Sequence, residues 1–336
     1  LGDVYKRQSQ MLGFNFNVGN DEIFRVGGDI SYNHSDRNAI NSSETQNLLP
    51  DSVSYQNSSS SSKDESHNIR ANFRMKWEMD ENNTLDFRPS FTYNTRYSTS
   101  YSESELFAGM RTLDDWTRGE KVNRQNNDRT NHGDSWTLRG NLTYVHRFPQ
   151  KKGRSLSARV EYSFTDTRQH GTSLSEITRY LLDEDNQDED LFRFTDNHTW
   201  NNNVSGRVTW TEPIGRPGNF LEFIYSINSR RNNADKYVYN LLPPAGGFGE
   251  DYIMPDFSAV PEGAQLSDSL SNSFRNDFLT QNFSIGYVRT TKEMNLNAGI
   301  TISPSSSKST DRIISDRSIP RRNVLNFAPY LRFRYK

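Results

Sequence analysis

The densest group of residues that could bind a ligand is an acidic run at residues 183–190, with six carboxylates in eight positions. Several carboxylate oxygens on one flexible loop are the ligands that calcium prefers. An EF-hand loop counted from Asp183 needs glycine at its sixth position and glutamate at its twelfth, where Asp188 and Phe194 stand. We therefore predict a solvated acidic loop, with a calcium site as the alternative.

The histidines form no recognisable catalytic set. They are scattered without the HExxH spacing of zinc proteases, and the sequence has no GxSxG motif and no phosphate-binding glycine loop. We therefore predict no enzyme activity and no catalytic, cofactor-binding or metal-binding residues, while substrate-binding residues stay unknown. The histidines are His34, His67, His132, His146, His170 and His198.

The segment 231–275 is the most ligand-like part of the chain. It contains Tyr237, Tyr239 and the run 241–249, which joins two leucines and two prolines to a glycine-rich stretch around Phe248. Aromatic and glycine residues of this kind could form part of a substrate mouth. Packing against the neighbouring structure is the preferred interpretation.

The composition is unusually polar for a chain of 336 residues, with 32% hydrophobic residues and a mean hydropathy of −0.90. Soluble globular domains carry roughly 45–50% apolar residues, so this chain has few apolar residues with which to form an ordinary buried core. A run of about 18 apolar residues, which a helical membrane span requires, is absent. The formal net charge of −2 argues against a nucleic-acid-binding protein, and the absence of cysteine excludes disulfides.

Alternation of apolar and polar residues is the strongest pattern in the chain. Within 69–79 every odd position is apolar and every even position is polar. Because successive side chains of a strand point to opposite faces, this predicts strands with one apolar and one polar face. Proline at 89 and at 329 predicts bulges. The other predicted strands, which bring the number to eleven, are 12–18, 24–32, 85–93, 136–144, 156–164, 204–210, 221–227, 283–287, 296–302 and 325–335.

Short, turn-like connections alternate with long polar segments, and aromatic residues lie near both ends of the apolar rows. Compact soluble domains seldom carry loops longer than ~12–15 residues. Transmembrane β-barrels combine short turns at one rim, long external loops at the other and aromatic girdles. We therefore predict an all-β, antiparallel transmembrane β-barrel of the outer-membrane type. Its predicted external loops are 35–66, 102–133, 167–196, 231–275 and 304–321.

The predicted polar face carries more basic than acidic residues. One interpretation is a basic pore wall that favours anionic solutes or contacts an acidic plug. The preferred interpretation is pairing of opposite charges across strands in a wet interior. The residues are Arg25, Arg70, Arg74, Lys76, Arg88, Arg139, Arg159, Arg207, Arg332 and Arg334, with the acids Asp29, Glu78, Asp86, Glu161 and Glu222.

Both ends of the sequence favour an internal piece of a longer protein. Residues 3–8 (DVYKRQ) resemble the translation of a sequencing adapter, so residues 1–8 are left out of the fold prediction. The last residues, 331–336, still alternate. We predict a partial barrel domain over 9–336, incomplete at both ends.

Three further stretches are informative: 202–213 (NNVSGRVTWTEP), 273–277 (SFRND) and 323–335 (NVLNFAPYLRFRY). They resemble the barrel of TonB-dependent-receptor-like outer-membrane proteins of bacteroidete-type Gram-negative bacteria. The resemblance implies a barrel of about 22 strands, roughly half of them present, in the cell outer membrane. It also implies an N-terminal plug domain that is missing from this sequence. The implied partners are membrane lipid, the TonB energy-coupling complex acting through the plug, and a surface lipoprotein. The resemblance assigns no functional residue to any position of this sequence.

From these observations we expect a receptor or transporter fragment that serves TonB-dependent uptake of an unidentified nutrient, without a cofactor and without nucleic acid as a partner. The first alternative is a barrel without energised transport, acting as a passive pore, an adhesin or a structural protein. The second is a soluble all-β binding protein, which a motif repeated at a fixed period would indicate. The hairpins instead have uneven lengths.

Overall fold

The computed structural model describes residues 4–20, 23–49, 52–111, 116–181, 185–244, 248 and 252–335. Strands dominate these ranges, and a short 3₁₀ helix, Ser315–Arg317, precedes the last of them. No helix in the described ranges is long and apolar enough to cross a membrane. The strands are β1 (Val4–Gly19), β2 (Phe24–Leu49), β3 (Ser52–Asp80), β4 (Asn83–Phe87), β5 (Ser90–Arg111), β6 (Trp116–Arg147), β7 (Ser155–Arg179), β8 (Gln187–Pro213), β9 (Asn219–Asn240), β10 (Gln265–Leu266), β11 (Asn272–Thr290), β12 (Met294–Asp311) and β13 (Ile319–Tyr335).

All strands belong to one antiparallel sheet in which neighbours in sequence are neighbours in space. β4 and β5 share one position between β3 and β6, and the two-residue β10 pairs with β9. The sheet therefore has eleven main positions, from β1 at one edge to β13 at the other. The prediction of an all-β, antiparallel, barrel-like fold is confirmed. Each predicted strand lies within an observed one, except that 85–93 spans β4 and β5.

The pairing register joins the predicted apolar rows into one continuous face. Phe91 of β5 lies opposite Leu138 of β6, which lies opposite Phe164 of β7. At the far side of the sheet, Ile285 of β11 lies opposite Ile300 of β12. We call this surface the apolar face and the opposite surface the polar face. Side chains on the apolar face are exposed, since Phe14 is 68% and Phe283 48% accessible.

Aromatic rings lie at both limits of the apolar face. At one limit the ring centroids of Trp136 and Phe164 are 4.8 Å apart, and those of Phe164 and Trp200 are 6.4 Å apart. At the other limit the centroids of Phe148 and Trp210 are 5.1 Å apart. Part of each predicted aromatic row therefore brings rings together: Trp136, Phe164 and Trp200 on β6 to β8 at one limit, and Phe148 of the β6–β7 turn with Trp210 of β8 at the other.

One end of the sheet carries the predicted short turns. The connections after β1, β3, β6, β8 and β11 all lie there, because the strands alternate in direction. Gly153 and Gly218 in two of these turns have φ of 94° and 87°, a region that residues with a Cβ rarely adopt. Glycine at these two positions therefore allows the chain to reverse direction tightly.

At the opposite end, most of the predicted long loops are wrong. β2 continues to Leu49 and β3 begins at Ser52, so almost all of 35–66 is paired strand. The same holds for most of 102–133, 167–196 and 304–321, while 231–275 keeps a long irregular part between β9 and β11. Much of these extensions is polar, as in the Ser- and Asn-rich run 57–62, so apolar alternation did not reveal them, and backbone hydrogen bonds join their paired strands.

Neither proline produces the predicted bulge. β4 and β5 keep one register with β3 on both sides of Pro89, as the pairs Met75–Phe87 and Asn72–Ser90 show. The carbonyl of Pro89 also accepts a 3.0 Å hydrogen bond from the amide of Phe73. Pro329 pairs in register with Ile300, and because β13 pairs only with β12 in the described sheet, its missing N–H is tolerated at an edge.

Engineered disulfides test the β6–β7 register, since the chain has no native cysteine. Thr137 and Thr165 lie opposite each other with hydroxyl oxygens 3.0 Å apart. We expect Thr137→Cys with Thr165→Cys to form a disulfide in high yield under mild oxidation, because directly opposed residues of an antiparallel pair have Cβ atoms only about 4.5–5.5 Å apart. Mass spectrometry of the linked peptides measures the yield. Thr137→Cys with Ser163→Cys, displaced by two residues on the same face, is the control, and equal yields would contradict the register.

Candidate functional site

A cavity of about 640 Å³ opens on the polar face where β1 to β5 lie side by side. Alternate residues of these strands supply its polar lining, because every second side chain of a strand points to the same face. Asparagines come from β1, and charged side chains come from β2, β3 and the β4–β5 junction. The lining includes one asparagine of β1 and five charged residues: Asn17, Arg25, Asp29, Arg74, Lys76 and Arg88.

Hydrogen bonds hold these side chains in place. Asp86 on β4 accepts two bonds from Arg88, at 2.5 and 2.7 Å, and lies 3.7 Å from a terminal nitrogen of Arg74 on β3. Arg25 donates to the amide oxygen of Asn17 at 2.9 Å. Arg74 and Arg88 keep 55% and 52% of their side chains accessible. Their remaining N–H groups can therefore contact a solute, and planar guanidinium groups suit carboxylate or phosphate oxygens.

Charge pairing accounts for part of the basic residues predicted on the polar face. The ion pair of Arg74 with Asp86 joins two strands, as predicted. Arg88 with Asp86, Lys76 with Glu78 at 2.6 Å, and Arg159 with Glu161 instead join residues two positions apart along the chain. Other arginines have no ion pair within the described ranges, so a basic excess persists on this face. These arginines are Arg70, Arg139, Arg207, Arg332 and Arg334.

The irregular segment between β9 and β11 packs against the β7–β8 hairpin. Phe248 and Tyr252 form edge contacts with Phe192, with centroids 5.4 and 6.4 Å apart. Leu174, Phe192 and Met254 are buried together there. The preferred interpretation of 231–275 as packing is therefore confirmed for these side chains, whereas Gly246, Gly247 and Gly249 lie outside the described residues.

The acidic run is partly strand. β8 includes Gln187–Asp190, and Arg179 on β7 lies 3.0 Å from Glu189. Successive side chains of a strand point to opposite faces, so Asp188 and Glu189 do not converge on one ion. Asp183 and Glu184 of the run lie outside the described residues. The prediction of a solvated acidic loop is therefore wrong for residues 187–190, which belong to β8.

The structure brings together four histidines that the sequence left scattered. His34 on β2 lies opposite His67 on β3, with ring centroids 4.6 Å apart, and His132 on β6 lies opposite His170 on β7, at 5.3 Å. A cavity of about 410 Å³ is lined by His67, His132 and His170 together with Tyr97. Spacing along the chain carries no signal for these pairs, since only the hairpin registers create them.

A charged and aromatic cluster covers the turn between β6 and β7. Glu212 accepts hydrogen bonds from Arg154, both at 2.8 Å, from Lys151 at 2.6 Å and from the indole of Trp210 at 3.2 Å. The Arg154 guanidinium also lies 5.9 Å from the Phe148 ring centroid. The Arg154 and Lys151 hydrogen bonds lower the pKa of Glu212 to about 2.

Comparisons with known proteins give little support to any specific family. No protein-family model matches the chain, and no curated protein does. One similar solved structure is the alcaligin outer membrane receptor FauA from Bordetella pertussis, at 8% identity over 98% of this chain and 74% of that chain. Its TM-score of 0.14 is too low to carry an argument.

The Glu212 cluster predicts a pH dependence. Because the pKa of Glu212 is lowered in the folded state, its ion pairs stabilise the fold above about pH 4.5, and that stabilisation is lost as pH falls towards 2. We expect Glu212→Gln to lower the denaturant midpoint at pH 7 and to reduce its decline between pH 5 and pH 2, measured in detergent solution. Glu293→Gln is the matched control, in a turn where the described residues offer it no ion pair. The same pH profile in Glu212→Gln and wild type would refute the assignment.

Proposed function

We propose that this chain is part of an outer-membrane β-barrel receptor or transporter of a Gram-negative bacterium, and that it serves TonB-dependent uptake of a nutrient. The observation that supports this most is the apolar face, which continues in register across all eleven positions of the sheet. Exposed apolar patches larger than a few hundred Å² are rare on soluble monomers. Lipid is the environment in which such a face is stable.

The height of the apolar face fits a bilayer. The row on β7 runs from Leu156 to Phe164, and similar rows cross the neighbouring strands. A strand tilted by about 45° needs ~9–11 residues to cross the hydrocarbon core. The aromatic rings at both limits of the face then lie at the two lipid–water interfaces, where Trp and Tyr are enriched.

The polar face would form the interior of the barrel. Its arginines, including Arg74 and Arg88, project accessible N–H groups from a wall of paired charges. Such a wall attracts anionic solutes or an acidic plug surface. At the opposite rim from the short turns, the hairpins continue well past the aromatic row, and these extensions offer surface for capture of a ligand.

TonB dependence rests on the resemblance of 202–213, 273–277 and 323–335 to receptor barrels. A passive pore is the second candidate, because the polar face alone would also suit a water-filled channel. The two differ in conductance. A receptor barrel closed by a plug does not conduct until it is energised, whereas a passive pore conducts ions at rest.

Conductance of the whole protein separates these candidates. The protein that contains this chain is purified from the outer membrane of cells that produce it and is inserted into a planar lipid bilayer in KCl. We expect enrichment in the outer-membrane fraction and no steady conductance at low voltage. A stable open channel would instead support the passive pore. Recovery in the soluble fraction would contradict both membrane assignments and favour the soluble alternative.

A further inference from the structure

Two cross-strand pairs on the β2–β3 hairpin place imidazole and carboxylate groups side by side. His34 lies opposite His67, and in the next pair on the same face Asp36 lies opposite Glu65. One ring nitrogen of each histidine and one carboxylate oxygen of Glu65 all lie within 4.8 Å of one another. We propose that His34, Glu65 and His67 bind a divalent transition-metal ion of the zinc type.

Hydrogen bonding orients His67 for this role. The Tyr32 hydroxyl lies 2.8 Å from Nδ1 of His67, while Nε2 of the same ring lies 3.4 Å from a carboxylate oxygen of Glu65. When Nδ1–H donates to the tyrosine oxygen, the lone pair of Nε2 is directed toward the carboxylate. Histidines that bind metals are commonly held in this way by a partner on their second ring nitrogen.

Unpartnered polar atoms are a second, independent indication. The described residues offer no hydrogen bond to Nδ1 of His34 or to Oδ1 of Asp36, although both atoms are shielded from solvent. A shielded polar atom without a partner costs free energy, and native structures contain few of them. An ion bound between the two strands would give the His34 ring a ligand role, with Asp36 as an additional carboxylate beside it.

The donor set selects the class of ion. Imidazole and carboxylate together suit zinc or copper, whereas calcium and magnesium prefer sites built from oxygen alone. Donor atoms in a tetrahedral zinc site are about 3.3–3.5 Å apart, given metal–ligand distances near 2.0–2.1 Å. The present donors lie within 4.8 Å of one another, so the site requires the side chains to close on the ion. The bound ion would tie β2 to β3 just beyond Tyr32, where the hairpin extends past the aromatic row.

Zinc titration of the full chain in detergent solution tests the site. Isothermal calorimetry with Zn²⁺ alone should give one equivalent per chain, and His34→Ala or His67→Ala should each weaken binding at least tenfold. Tyr32→Phe should weaken it about tenfold through loss of the orienting hydrogen bond. His170→Ala is the matched control, because it removes a histidine from the other stacked pair and should leave the affinity unchanged.

Cobalt gives a readout on the unmodified protein. Co²⁺ bound at a four-coordinate nitrogen and oxygen site should produce visible absorption bands that Zn²⁺ abolishes by competition. The proposal is overturned if neither ion binds, or if His34→Ala and His67→Ala bind zinc as tightly as wild type. Loss of binding in His170→Ala alone would also overturn it, since the ion would then belong to the other pair.

Discussion

The register of the hairpins is the constraint on which the structure depends. Each strand has one apolar and one polar face, and pairing keeps every apolar row aligned with its neighbours, as Leu138 with Phe164 shows. A slip of one residue would exchange the two faces of a strand. Within a bilayer such a slip would be severe, since a single arginine directed into its centre costs about 2–4 kcal/mol.

Sequence alone predicted the part of the fold that alternation encodes. The eleven apolar rows, the short turns and the aromatic limits all follow from side-chain types a few residues apart. The strand extensions were missed because segments such as 57–62 contain only Ser and Asn, and a polar strand has no hydrophobic period. The bulge at Pro329 was wrong because its strand is an edge strand, where the missing N–H leaves no neighbouring strand without a donor. At Pro89 the register continues although the N–H that would face Phe73 is missing, and nothing in the structure explains why no bulge forms.

The candidate sites were less predictable than the fold. The basic residues of the polar face were predicted, but their division into paired and unpaired groups depends on side-chain geometry both along a strand and between neighbouring strands. His34 and His67 are far apart in sequence and meet only because the β2–β3 register places them opposite each other. In the proposed function these features are separate, since the polar face would contact solute while the metal site would brace a hairpin.

Accessibility of single cysteines tests most directly whether the apolar face contacts lipid. Each residue from 138 to 143 on β6 is replaced in turn by cysteine in the whole protein, and outer membranes are treated with a water-soluble maleimide. The proposal predicts a period of two, with Arg139→Cys, Asn141→Cys and Thr143→Cys labelled and Leu138→Cys, Gly140→Cys and Leu142→Cys protected. Uniform labelling of all six positions would contradict a lipid-facing apolar surface.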